Sequence, residues 1–96
     1  MEEQQDEKKW QDKTLLIAED EDSNYKYLEI ALRKTGIKII RAKNGLEAID
    51  IIKDNPEIDA ILMDIKMPEM NGLEATKKIR EINSKVSIIA LTAYAM

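Results

Sequence analysis

Apolar residues along this chain fall in short runs, separated by stretches where they recur every three or four positions. Thr14-Leu-Leu-Ile-Ala18, residues 37–41, Asp59-Ala-Ile-Leu-Met63 and residues 86–91 are the runs, and continuous apolar segments of this length bounded by turn residues predict buried strands. Between them, residues 23–35 set Leu28, Ala31 and Leu32 on one helical face, with Gly36 placed as the stop. Asn44-Gly-Leu-Glu47 has the form of a capping box, and Ala48, Ile49 and Ile52 follow on one face until Pro56 ends the segment. Asn71-Gly-Leu-Glu74 repeats that cap and leads a helix with Ala75, Ile79 and Ile82 on one face. The order is βαβαβαβ. Alternation at this spacing predicts parallel strands joined by right-handed crossover helices, hence an α/β, flavodoxin-like, doubly wound sheet.

Composition narrows the chemistry. The chain has 96 residues, enough for one small domain, with 44% hydrophobic and 35% charged positions. Aromatics are only 4% and Phe is absent, so the core must be aliphatic. A net charge of −4 argues against nonspecific nucleic-acid or anionic-membrane binding. No apolar stretch is long enough to span a bilayer, and a cytoplasmic setting is the expectation. There is no Cys and no His, which removes thiolate chemistry and the commonest general base. Carboxylates, hydroxyls, Lys and backbone groups must do whatever chemistry there is. Residues 1–13, charged and Gln-rich around Trp10, read as a flexible arm before a domain spanning 14–96. Trp10 itself reads as a loosely packed surface residue, or else as one docked on the domain or on a partner.

Ligands of open parallel sheets bind outside the carboxyl ends of the strands. The first strand is followed by Glu19-Asp20-Glu21-Asp22, the third by Asp64, the fourth by Thr92-Ala93, and the second only by residues 41–44. In the order 2-1-3-4-5 the first and third strands are neighbours, which brings Glu19, Asp20 and Asp64 together. Two such charges at about 4 Å repel by roughly 1 kcal/mol in water and roughly 4 at an effective dielectric of 20, so a cation must compensate. An all-oxygen donor set selects a hard cation such as Mg²⁺. Asp20-x-Asp22-x-Asn24 imitates the start of a calcium-binding EF-hand loop, but the sixth position is Tyr25 and the twelfth Ala31, which excludes it.

Three segments together carry a family likeness: Leu16-Ile-Ala-Glu-Asp20, Met63-Asp-Ile-Lys-Met-Pro-Glu-Met-Asn-Gly72 and Ala90-Leu-Thr-Ala93. Residues 14–96 resemble the receiver domain of two-component response regulators, and most of all the receivers of hybrid histidine kinases. The resemblance implies that Asp64 is a phosphoacceptor, taking a phosphoryl group from a phosphohistidine on a histidine kinase or a histidine phosphotransfer domain. It implies Mg²⁺ as cofactor, bound by Asp20 and Asp64, by Glu19 through water and by the backbone carbonyl of Lys66. Thr92 would bond the phosphoryl group and respond to it, Ala93 would leave it room, and Pro68 and Gly72 would shape the neighbouring loop. Family members catalyse their own aspartyl phosphorylation and dephosphorylation, so the resemblance implies self-modification and a stand-alone turnover enzyme is not the expectation.

The family's fourth helix, fifth strand with its Lys, and fifth helix have no counterpart in residues 1–96, so the expectation is an incomplete receiver with impaired switching. The strand from Val86 to Leu91 is then an apolar, uncharged edge, a template for a homodimer or for segment exchange. The competing reading is a docking or oligomerisation module on the receiver scaffold that is not phosphorylated. Haloacid-dehalogenase-type enzymes pair their Asp with a second Asp two residues on; here that position is Lys66.

Overall fold

The computed structural model describes residues 9–91. Four strands, β1 (Thr14–Ala18), β2 (Lys38–Ala42), β3 (Ala60–Asp64) and β4 (Ser87–Leu91), alternate with α1 (Asp22–Leu32), α2 (Gly45–Asp54) and α3 (Gly72–Ile82). They form one parallel sheet in the order β2-β1-β3-β4, as the alternation predicts. The boundaries of β2 and β3 lie one residue later than their apolar runs. Parallel pairing sets them: Thr14 is opposite Lys38, Ala18 is opposite Met63, and Asp64 is opposite Leu91.

Alternate residues of a strand point to opposite faces. Leu16, Ala18, Ile61 and Met63 meet Ala48, Ile49 and Ile52 of α2 and Ala75 and Ile79 of α3 in one buried cluster. The other face is more thinly covered. α1 has no fully buried residue; Leu28 and Leu32 are half-buried, and Ala31, expected inside, is exposed. Beside it, Trp10, Leu15, Leu32, Ile37, Ala60, Leu62 and Ile89 line an open cavity of about 360 Å³. No other described helix flanks α1, which is why its sides stay wet. Trp10 docks at this cavity, its backbone N–H donating to the Thr35 carbonyl at 2.8 Å. Ile82 also departs from expectation at 46% exposed: it sits in the last turn of α3, where the chain is already leaving the helix at Asn83.

Both predicted caps form. Asn44 Oδ1 accepts from the Glu47 N–H at 2.8 Å, and Asn71 Oδ1 from the Glu74 N–H at 2.9 Å. Glu47 returns its carboxylate to the Lys43 N–H at 2.8 Å, one residue before the cap, which closes the box. Each cap is followed by a buried glycine at the point of closest approach. A Cβ on Gly45 would collide with the Met70 carbonyl oxygen. One on Gly72 would collide with the Asp64 carbonyl oxygen and lie 2.8 Å from the Ile65 Cα. Among the described residues no helix is long and apolar enough to cross a membrane.

Gly72 thus lets α3 start directly against the strand end that carries Asp64. Alanine is the better helix former by about 1 kcal/mol, but overpacking against rigid backbone costs about 1–3 kcal/mol. Gly72→Ala is therefore expected to destabilise the fold by up to about 2 kcal/mol net, whereas the same change at an exposed helical site would stabilise it. Urea denaturation checks the sign.

Candidate functional site

The C-terminal ends of β1 and β3 lie side by side, and the ladder that sets Ala18 opposite Met63 carries Glu19 and Asp64 to matching positions. Glu19, Asp20 and Asp64 each offer a carboxylate oxygen, and the three oxygens lie within 4.8 Å of one another. Glu19 and Asp64 are 3% and 4% exposed, and Asp20 is half-buried. Together with Glu21, Asn24 and Lys66 they line a cavity of about 330 Å³. The sequence-predicted cluster therefore exists. Thr92 and Ala93 lie outside the described residues.

Hydrogen bonds fix the carboxylates. Glu19 Oε2 accepts from the Glu21 N–H at 3.2 Å and from the Asn24 amide at 3.5 Å. Asp64 Oδ1 accepts from the Lys66 N–H at 3.1 Å. The loop after Asp64 is pinned at both ends, by Ile65 N–H to the Leu91 carbonyl at 3.3 Å and Gly72 N–H to the Ile65 carbonyl at 2.9 Å. Within it Glu69 adopts φ 68, a left-handed conformation uncommon for a residue with a side chain.

Burial pushes the carboxyl groups of both Glu19 and Asp64 above the usual range. The backbone N–H groups of Glu21 and Lys66 work against it. The negative charge of Asp64 raises Glu19 further, and that of Asp20 raises Asp64. Both groups therefore favour the protonated form more than an exposed carboxyl does. The donor set suits a hard divalent ion: oxygen donors only, net negative, and partly desolvated.

One participant had no sequence signal. Arg41, at the end of β2, donates from Nε and Nη2 to the Glu19 main-chain carbonyl at 3.1 and 3.0 Å. Its Nη1 pairs with Asp22 at 2.9 Å and holds that carboxyl below its usual range. Its guanidinium carbon lies 4.5 Å from the centre of the Tyr25 ring. The second strand ends without an acidic cluster, and in sequence a lone Arg at a strand end looks like any surface Arg.

Residues 15–96 match the response regulator receiver domain, and the chain belongs to that family. It is 40% identical over 86 residues to the polar-differentiation response regulator DivK of Brucella anthropi, an alignment covering 88% of this chain and 69% of DivK. Among solved structures it is similar to the receiver domain of Ssk1 from Saccharomyces cerevisiae, crystallised with the histidine phosphotransfer protein Ypd1 (36% identity, TM-score 0.78, 84% of this chain and 63% of that one). It is also similar to the receiver domain of the histidine kinase CKI1 from Arabidopsis thaliana complexed with Mg²⁺ (28% identity, TM-score 0.79, 88% and 70%). The chain is thus a receiver domain of two-component signalling.

A carboxylate whose folded pKa is raised binds its proton more tightly in the folded than in the unfolded state. Its contribution to stability is therefore lost as pH rises through the raised value, and above that the full penalty remains. In chelator, Asp64→Asn is expected to raise the melting temperature at about pH 8 by roughly 4–8 °C per kcal/mol of relieved repulsion, and by less at about pH 4. Thermal scans of the two proteins at both pH values test this; an Asn variant less stable than wild type at the higher pH contradicts it.

Proposed function

We propose that this chain is a phosphoacceptor module of a phosphorelay, in which Asp64 takes a phosphoryl group from a phosphohistidine of a histidine kinase or a histidine phosphotransfer domain. The observation that carries the reading is the convergence of Glu19, Asp20 and Asp64 within 4.8 Å at the carboxyl ends of β1 and β3. Asp20 and Asp64 would hold Mg²⁺ directly, Glu19 through water, and Lys66 by its backbone carbonyl. When bound, Mg²⁺ supplies the positive charge that neutralises the carboxylates and the incoming phosphoryl oxygens.

An Asp64 carboxylate oxygen attacks phosphorus in line, a P–O bond forms and the P–N bond breaks, and the electron pair of that bond leaves with the imidazole nitrogen of the donor. Little acid–base work is needed, so a site without His suffices; positioning and charge neutralisation dominate. The Lys66 N–H bond to Oδ1 orients the carboxylate and leaves the other oxygen for attack. Thr92 would bond the transferred group, with Ala93 leaving space for it. In this reading residues 14–96 act as the receiver unit in a cytoplasmic setting, with 1–13 as its arm.

The test combines Mg²⁺ calorimetry with incubation with a phosphohistidine donor and intact-mass detection. A Mg²⁺-dependent, acyl-phosphate-type adduct that is lost in Asp64→Asn is the expected result. A chain that binds no Mg²⁺, or an adduct that persists in that variant, overturns the reading.

A docking role has its own support. Among the described residues β4 pairs only with β3, its residues Ser87–Leu91 carry no charge, and Ile89 is 53% exposed beside the Trp10 cavity. The opposite edge, β2, carries the exposed charge of Lys38, which discourages pairing. We therefore propose that β4 pairs with β4 of a second copy. Sedimentation is expected to show a dimer at low micromolar concentration that Ile89→Lys shifts to monomer; a wild-type monomer rules this out.

A further inference from the structure

We propose that Arg41 is a positioning residue for the acidic cluster, an assignment that rests on the Mg²⁺-binding reading of that cluster. Arg41 reaches the site from a strand that contributes no carboxylate. Its side chain is 18% exposed and makes four contacts at once: two N–H bonds to the Glu19 carbonyl oxygen, the Asp22 ion pair, and the stack on Tyr25. Glu19 and Asp22 bracket the turn that presents the Glu19 and Asp20 carboxylates, and Tyr25 lies in the first turn of α1 behind it.

That turn has few other anchors. The residue before α1, Glu21, gives no side-chain cap, in contrast to Asn44 and Asn71 before α2 and α3. The Glu19 N–H is held by the Ala42 carbonyl at 3.0 Å, so β2 grips this residue by its amide through Ala42 and by its carbonyl through Arg41. The planar fork of Arg suits a double bond to one oxygen; the Lys ammonium is a point charge and does not reproduce it. Rotation of the peptide that joins Glu19 to Asp20 would swing both carboxylates relative to Asp64, and the fork opposes that rotation.

The sign of the effect separates positioning from charge. Arg41 is a cation beside an acidic pocket, so electrostatics alone predicts that removing it tightens binding of a divalent ion. Positioning predicts the opposite. Groups that orient metal ligands typically contribute about 10–100-fold in metal affinity.

The experiment is calorimetric titration of Mg²⁺ into wild type, R41M and R41K, with thermal scans in chelator to show that each variant folds. R41M is expected to weaken Mg²⁺ binding by about tenfold, and R41K, which keeps the charge but loses the fork, by about threefold or more. If R41M does not fold, R41K decides alone, because charge without the fork should leave affinity unchanged under the electrostatic account. Tighter binding by R41M, or wild-type affinity in a folded R41K, overturns the assignment while leaving the functional reading standing. A wild-type chain that binds no Mg²⁺ overturns both.

Discussion

Three carboxylates are held within 4.8 Å of one another at the mouth of this sheet, two of them almost fully buried, and the surrounding structure is arranged to withstand that repulsion. Parallel pairing of β1 with β3 brings Glu19 and Asp64 to the same level and prevents either from sliding away. Backbone N–H groups of Glu21 and Lys66 and the Asn24 amide supply partial positive charge where it is needed. The offset is incomplete, since burial still leaves both acids harder to ionise than usual. A site of this kind is stable enough to persist yet favours the arrival of a cation.

The two faces of the sheet divide the labour. α2 and α3 seal one face with small and aliphatic side chains, and this is where most of the hydrophobic stabilisation resides. Gly45 and Gly72 allow those helices to begin against backbone: Gly45 against Met70, Gly72 against Asp64 and Ile65. The related segments Asn44-Gly-Leu-Glu47 and Asn71-Gly-Leu-Glu74 thus do the same structural work twice, each capping a helix and bringing its N-terminus close. α1, with no fully buried residue and no side-chain cap, is tied to β2 by the contacts of Arg41 with Asp22 and Tyr25.

Much of this was legible along the chain. Element order, sheet order, both Asn caps and the acidic cluster followed from apolar runs, cap patterns and the rule that ligands bind at carboxyl ends of strands. These features are local, or depend on a topology that leaves few choices. Where periodicity misled, the cause was neighbourhood. Ala31 and Ile82 sit on the apolar stripes of their helices, but a stripe is buried only where another element lies over it.

Residue type by itself removed thiol and imidazole groups from this chain, and the spacing of strands and acids anticipated that Glu19, Asp20 and Asp64 would converge. Only the tertiary structure decided which of the remaining polar groups take part. Arg41 is 22 positions from Glu19, and its two bonds to that carbonyl exist because β1 and β2 lie in register. The burial that raises the carboxyl pKa values is likewise a property of packed neighbours. Strand and helix patterns are written in nearest-neighbour spacing, but desolvation and long-range hydrogen bonds arise only once the sheet has closed.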